Sequence, residues 1–145
     1  GAVVVDLFAG SGGIGIEALS RGARKAYFVE NSPKAIACIT DNLKHTHLED
    51  KSVVLKQDVF AALYGSIRDK ADIVFLDPPY FQGFEKRVLE ILQNMPYITE
   101  ESRVIVEASN QTMFDDVSGL GFDVEKEKIY KTNKHVFLRK KGTCL

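Results

Sequence analysis

The sequence predicts an α/β domain built on a doubly wound, mostly parallel sheet that ends in an antiparallel edge hairpin. Three observations lead to this fold class. Short apolar runs alternate with segments in which apolar residues recur at helical spacing, and a glycine-rich turn follows the first run. The last two runs alternate polar and apolar residues, as edge strands do. A length of 145 residues suits one domain, and a hydrophobic content of 45% suffices for a core.

The elements follow one another in a regular order. Predicted strands cover residues 2–7, 26–29, 53–55, 73–76, 104–106, 122–130 and 135–139. Predicted helices cover residues 14–21, 33–43, 59–67, 84–95 and 112–117. The second helix has the clearest start, because Ser32 suits the N-cap and Pro33 the first helical position.

The composition limits the classes of protein to which this chain can belong. The net charge of −1 gives no overall polybasic signal, so any nucleic-acid surface must be local. Cys38 and Cys144 lack metal-ligand spacing, and we expect neither a disulfide nor a metal site. Two thiols without a secretion signal favour the cytoplasm, and no apolar run has the length of a membrane span.

A glycine turn directly after the first strand predicts a nucleotide-like ligand at the carboxyl edge of the sheet. Gly10, Gly12 and Gly15 satisfy G-x-G-x-x-G, a pattern shared by nicotinamide, flavin and S-adenosylmethionine sites. Asp6 lies four residues before Gly10, where a carboxylate would repel a pyrophosphate but could orient the turn or hold an ammonium group. This acid favours S-adenosylmethionine and makes a dinucleotide less natural.

Residues at the ends of the next two strands complete the predicted cofactor site. Glu30 ends the second strand, at a distance suited to ribose hydroxyls. Asp58 could accept a hydrogen bond from the adenine amine, with the backbone N–H of Val59 facing a ring nitrogen; alternatively, Asp58 simply caps the following helix. Phe8 and Asn31 are the remaining predicted cofactor contacts.

The most informative segment is Asp77-Pro78-Pro79-Tyr80, called here the Pro-Pro loop, which follows the fourth strand. Two prolines stiffen the backbone and remove two N–H donors. The Asp77 carboxylate and the Pro78 carbonyl can then accept both hydrogens of an exocyclic amino group, and Tyr80 can stack on the base. We therefore predict a methyltransferase acting on a base amino nitrogen, with residues 77–80 as its catalytic residues; the alternative is an ordinary rigid turn.

The segment 6–23, DLFAGSGGIGIEALSRGA, together with the Pro-Pro loop, resembles the bacterial 16S ribosomal RNA guanine-N2 methyltransferases along essentially the whole chain. The resemblance implies a Rossmann-like, seven-stranded sheet, with residues 1–145 forming the catalytic domain. It also implies S-adenosylmethionine as methyl donor and 16S rRNA, or the assembling small subunit, as substrate. The family's N-terminal segment before the first strand is missing from this sequence.

The resemblance also implies roles by position. Asp6, Gly10 and Gly12 would line the methionine part of the cofactor, Glu30 would bind the ribose, and Asp58 the adenine. The two ends of the Pro-Pro loop would hold the target guanine. We expect a monomer with no membrane partner.

Several alternatives stay open at this stage. The Pro-Pro loop also occurs in adenine-N6 enzymes, and its target could even be a protein amide. A nicotinamide oxidoreductase and a non-catalytic RNA-binding module are further candidates. Basic residues near the end of the chain could contact RNA phosphates or simply form a solvated hairpin; they are Lys126, Lys128, Lys131, Lys134, Arg139, Lys140 and Lys141.

Overall fold

The computed structural model describes residues 1–142, which form one seven-stranded sheet flanked by helices on both faces. The strands are β1 (Val3–Leu7), β2 (Lys25–Glu30), β3 (Ser52–Lys56), β4 (Ile73–Leu76), β5 (Arg103–Ser109), β6 (Phe122–Ile129) and β7 (Asn133–Lys140). The helices are α1 (Gly13–Ser20), α2 (Pro33–Thr46), α3 (Val59–Leu63) and α4 (Phe84–Leu92).

The strand order is β3-β2-β1-β4-β5-β7-β6, and the first five strands of that order run parallel. β7 pairs antiparallel with both β5 and β6. The predicted doubly wound sheet with an antiparallel edge is therefore confirmed. The order reverses between β1 and β4, which is where doubly wound sheets open a ligand crevice.

Apolar side chains pack on both faces of the sheet. One face holds α3, α4 and a core that includes Leu7, Leu63 and Leu89. The other face holds α1 and α2 over a smaller core that includes Phe28 and Ile39. β1 is buried at every position, as its continuous apolar run predicts.

The structure corrects the predicted helix over residues 112–117. The backbone there makes i to i+3 bonds, from the Thr112 N–H to the Ser109 carbonyl (3.0 Å) and from the Val117 N–H to the Phe114 carbonyl (3.3 Å), and a short 3₁₀ helix follows at Val117–Leu120. Phe114 and Val117 are both buried. Burial of these two side chains holds the segment in turns, so local propensity does not decide its structure.

Helix boundaries differ elsewhere by a few residues. α3 and α4 end at Leu63 and Leu92, earlier than the predicted 67 and 95, and an unpredicted 3₁₀ turn occupies Glu49–Lys51. The predicted start of α2 is confirmed, since the Ser32 hydroxyl accepts a hydrogen bond from the Ala35 N–H at 3.4 Å.

Two remaining expectations concern the cysteines and membranes. Cys38 is an exposed free thiol, whereas Cys144 lies outside the described residues. The longest described helix, α2, has 14 residues, and none of the described helices combines the length and hydropathy that a membrane crossing requires.

Gly15 is needed because α1 passes very close to the sheet. A Cβ atom at this position would lie 2.4 Å from Cε1 of Phe28, a ring that is fully buried. We expect Gly15→Ala to lower the free energy of unfolding by about 1–3 kcal/mol, the usual effect of overpacking a core. Urea denaturation measures this change.

Gly13→Ala is the matched control, because Gly13 begins the same helix and its added Cβ would meet only the Ser11 hydroxyl at 3.9 Å. We expect Gly13→Ala to be neutral or to stabilise the protein by up to about 1 kcal/mol. Equal effects of the two substitutions would contradict the close approach of α1 to Phe28.

Candidate active site

Most of the predicted site residues line one cavity of about 650 Å³ at the carboxyl ends of the parallel strands, whereas Asp6, Gly10 and Gly12 do not. The cavity lies where the strand order reverses, as expected for a doubly wound sheet. Its wall combines the predicted cofactor contacts with the whole Pro-Pro loop. The lining residues are Phe8, Glu30, Asn31, Asp58, Val59, Phe60, Asp77, Pro78, Pro79, Tyr80 and Phe84.

The glycine turn carries Phe8 into this wall. Phe8, Gly10 and Gly12 all have positive φ angles, of 58°, 58° and 82°, and Phe8 is therefore in a conformation that is uncommon for a residue with a side chain. Its ring stacks on Phe84 with centroids 5.9 Å apart and planes 8° apart. Gly10 and Gly12 shape the turn but do not line the cavity.

Asp6 also lies outside the cavity wall. Its carboxylate accepts a hydrogen bond from the Gly15 N–H at 3.2 Å, and the residue is 2% exposed. Burial raises the pKa of Asp6 to about 7, against the lowering effect of the Gly15 bond, and the charges of Asp77 and Glu30 raise it further. Asp6 is therefore bonded to the first turn of α1, and the roles predicted for it in orienting the glycine turn or holding the cofactor stay predictions.

The raised pKa of Asp6 predicts a pH-dependent stability. Between about pH 4 and pH 7, Asp6 holds a proton in the folded protein that it has lost in the unfolded chain, so the unfolding free energy should fall as pH rises through this window. The contribution of Asp6 is on the order of 3 kcal/mol. Above about pH 7 Asp6 is ionised in both the folded protein and the unfolded chain, so its contribution no longer changes with pH.

Asp6→Asn should remove that pH dependence, because an amide oxygen still accepts the Gly15 hydrogen bond but does not titrate. Urea denaturation of both proteins at pH 5 and pH 8 measures the difference. We expect the variant to be the more stable protein at pH 8. Parallel changes of stability with pH in the two proteins would exclude a perturbed Asp6.

Glu30 connects the glycine turn to the start of α2. Its Oε1 accepts a hydrogen bond from the Gly10 N–H at 2.9 Å, while Oε2 accepts from the Asn31 and Ser32 N–H groups at 3.2 and 3.1 Å. These three bonds fix the carboxylate at the cavity edge, where it also helps to shape the wall. Glu30 is therefore held by backbone N–H groups and does not end β2 as a freely solvated side chain.

Asp58 caps α3, which was the structural alternative for this residue. Its Oδ2 accepts hydrogen bonds from the Phe60 and Ala61 N–H groups at 3.0 and 3.4 Å. Both bonds use the same oxygen, and Asp58 still lines the cavity. The cap and the predicted contact with adenine are therefore compatible, and the second stays a prediction.

The Pro-Pro loop closes the opposite side of the cavity. Pro78 is buried, whereas Asp77 is exposed toward the cavity and Tyr80 is 39% exposed. Partial burial raises the pKa of Asp77 to about 7, and a hydrogen bond with the Glu107 carboxyl group and the charge of Glu107 raise it further. Asp77 is thus able to exchange a proton near neutral pH.

Glu107 and Asn133 do not line the cavity but adjoin its residue Asp77, and neither was predicted from the sequence. Glu107 belongs to β5 and contacts Asp77, while Asn133 belongs to β7 and donates to Glu107 Oε1 at 2.7 Å. Burial raises the pKa of the nearby Tyr80 hydroxyl, and Asn133 opposes this rise. No motif marks either residue, and only the pairing of β5 with β7 could have indicated them.

The basic residues of the last two strands fall into two groups. Lys134, Arg139 and Lys141 have carboxylate partners at 3.3, 3.8 and 4.0 Å. Lys126 and Lys128 instead lie over the Phe137 ring, at 5.8–5.9 Å from its centroid. This second pair lies on the sheet face that also carries His135 and Glu107, according to the strand register.

Residues 1–142 contain no group of three or more His, Cys, Asp or Glu side chains arranged to hold a metal ion.

Comparison with known proteins agrees with this geometry. YlbH of Bacillus subtilis, whose name gives rRNA methyltransferase as a provisional assignment, is 34% identical over 79% of this chain. Ribosomal RNA small subunit methyltransferase D is 32% identical in Buchnera aphidicola, over 71% of this chain, and 29% identical in Escherichia coli K12, over 86%. The matches span 64%, 53% and 62% of these three relatives, so the chain corresponds to only part of each.

Solved structures show the same fold. A conserved hypothetical protein of Streptococcus pyogenes superposes with a TM-score of 0.87 and 34% identity, over 97% of this chain and 86% of that protein. The sequence profile of the family described as conserved hypothetical protein 95 matches residues 1–139. The chain therefore belongs to this family, and its resemblance to the bacterial small-subunit rRNA methyltransferases is confirmed.

Proposed function

We propose that this protein transfers a methyl group from S-adenosylmethionine to the exocyclic N2 of a guanine in 16S rRNA during assembly of the small subunit. The observation that carries the proposal is the shared cavity, which places the Pro-Pro loop opposite Phe8, Glu30 and Asp58. A cofactor site and an amino-group acceptor thus face one another. The reaction would take place in the cytoplasm, where small subunits assemble.

The charges around the glycine turn suit this cofactor. Asp6, Glu30 and Asp77 are close enough for the charges of Glu30 and Asp77 to raise the pKa of Asp6. Such a site favours a ligand with positive groups, and S-adenosylmethionine carries a sulfonium and an ammonium. A dinucleotide would bring a pyrophosphate toward the same three acids, so the charge pattern disfavours a nicotinamide oxidoreductase.

The individual residues can be assigned to parts of the cofactor. Glu30 would bind the ribose hydroxyls, Asp58 the adenine amine and Phe8 the adenine ring, while Asn31 and the Val59 N–H complete the pocket. When bound, S-adenosylmethionine supplies an electrophilic methyl group on a positively charged sulfur. The lining therefore offers both the apolar surface and the acceptors that this molecule requires.

The Pro-Pro loop would position the target nitrogen. Asp77 and the Pro78 carbonyl accept the two amino hydrogens, and Tyr80 stacks on a base that has left its helix or loop. A pKa of about 7 lets Asp77 take up the proton that the amino group loses. The work of the protein is mainly orientation and electrostatic stabilisation.

RNA would approach along the sheet face that carries Lys126, Lys128 and Phe137. The two lysines have no carboxylate partner among the ion pairs of residues 1–142 and remain available for phosphates. The names of the relatives support this substrate class, since those of Buchnera aphidicola and Escherichia coli are small-subunit rRNA methyltransferases. Adenine N6 is the second candidate, because the Pro-Pro loop suits either amine.

Labelled methyl transfer from S-adenosylmethionine to small subunits from cells that lack this gene tests the proposal. Digestion to nucleosides should then give labelled N2-methylguanosine. Labelled N6-methyladenosine would support the second candidate, and calorimetric binding of NADH without binding of S-adenosylhomocysteine would support an oxidoreductase. Binding of S-adenosylhomocysteine without any transfer would indicate a non-catalytic RNA-binding protein.

A further inference from the structure

The Pro-Pro loop has a second carboxyl group beside it, which no motif marks. Leu76 and Val106 are partners in the pairing of β4 with β5, and Asp77 and Glu107 are the next residue of each strand path. The register therefore puts Glu107 beside Asp77, where it adds to the rise in the pKa of Asp77 that burial causes. Glu107 is not among the residues that line the cavity, but its partly exposed carboxyl group lies next to that of Asp77, which does line it.

Glu107 is held in place from the side of β7. Its Oε1 accepts a hydrogen bond from Asn133 Nδ2 at 2.7 Å and lies 3.5 Å from His135 Nε2. His135 faces Glu107 directly in the strand register, and its ring packs edge-on against Phe75. Because both contacts use Oε1, the other carboxyl oxygen is left to face Asp77 or a ligand.

The two carboxyl groups have different neighbours. Asp6 and Tyr80 lie near Asp77, and Asn133 and His135 contact Glu107. Two carboxyl groups in hydrogen-bond contact share a proton, since two carboxylates would repel each other. The edge of a bound base that carries two neighbouring N–H groups could donate one hydrogen bond to each carboxylate, so that no shared proton would be needed.

Guanine has such an edge, because its N1–H and its N2 amino group are adjacent donors. Adenine places an acceptor, N1, beside its N6 amine, and cytosine places N3 beside N4. An acceptor directed at a carboxylate costs the site a hydrogen bond and adds repulsion. Two adjacent carboxylates therefore match guanine and oppose the other two amino bases.

We propose that Glu107 accepts a hydrogen bond from N1–H of the target guanine while Asp77 accepts from the N2 amino group, so that Glu107 sets the preference for guanine. This inference rests on the proposed function and adds a specificity residue to it. Asn133 is a positioning residue, because it donates a hydrogen bond to the Glu107 carboxyl group.

The test compares guanine with 2-aminopurine, which keeps the N2 amino group but has an acceptor at N1. The position modified by the unaltered protein is mapped first, and small subunits are then reconstituted with rRNA that carries either base there. Single-turnover methyl transfer should be at least about tenfold faster to guanine, the discrimination expected when a charged hydrogen bond is lost. Equal rates would overturn the role of Glu107 and leave the proposed function intact.

Glu107→Gln should bring the two rates to within about threefold of each other, mainly by slowing transfer to guanine, since an amide supplies an acceptor or a donor. Glu90→Gln, on the exposed face of α4, is the matched control and should keep the full preference. Affinity for S-adenosylhomocysteine and the midpoint of thermal unfolding should be unchanged in both variants. A Glu107→Gln protein that retains the full preference would overturn the inference, whereas absence of any methylguanosine from the unaltered protein would overturn the proposed function itself.

Discussion

Replacing Asp77 with alanine is expected to slow methyl transfer by about 10²–10³-fold, the effect of removing one preorganised polar group from an active site. Asp77 would hold the amino group and take up its proton, so its loss affects both orientation and proton transfer. Single-turnover kinetics with saturating RNA and cofactor measure the chemical step directly.

The controls separate a catalytic loss from a loss of structure. Asp115→Ala removes a carboxylate from an exposed turn and should leave the rate unchanged. The Asp77→Ala variant should fold normally. Near neutral pH it should be at least as stable as the unaltered protein, because the substitution removes a negative charge that repels the buried Asp6 carboxylate. A variant that binds cofactor and RNA and transfers methyl at the original rate would refute the role of Asp77.

The second large effect is expected at Tyr80. Tyr80→Ala should lower kcat/KM by about 5–150-fold, because stacking of a base on an aromatic ring contributes about 1–3 kcal/mol in nucleic-acid complexes. The ring is 39% exposed at the cavity, so its removal opens no void in the core. The free energy of unfolding should change by less than about 0.5 kcal/mol.

Tyr80→Phe distinguishes the ring from its hydroxyl group. Phenylalanine keeps the stacking surface and removes only the hydroxyl group, so most of the activity should remain. If both variants lost activity equally, the hydroxyl group and not stacking would be the contribution of Tyr80. Steady-state kinetics over a range of RNA concentrations give the comparison.

The parallel part of the fold could be predicted because its signals are local. The apolar run of β1 reports burial on both faces, and the cap at Ser32 marks the start of α2. The Pro-Pro loop could be placed at the cavity because every parallel strand ends at the same edge. Local patterns were therefore sufficient for the half of the site formed by β1 to β4.

The contribution of Glu107 and Asn133 could not be predicted in this way. They are 26 residues apart and meet because β7 inserts between β5 and β6, a pairing that depends on the whole sheet. The segment at Phe114 and Val117 was assigned wrongly for a similar reason, since burial in the core decides its backbone. Long-range packing, and not composition, determines these features.

The position of β7 also governs when the site becomes complete as the protein is made. The predicted cofactor contacts that line the cavity lie within the first 60 positions, whereas Asn133 and His135, which hold Glu107, are translated much later. A nascent chain can thus assemble the glycine turn and β1 to β3 well before β5 to β7 have been made. The contacts around Glu107 consequently form only after the hairpin of β6 and β7 has left the ribosome.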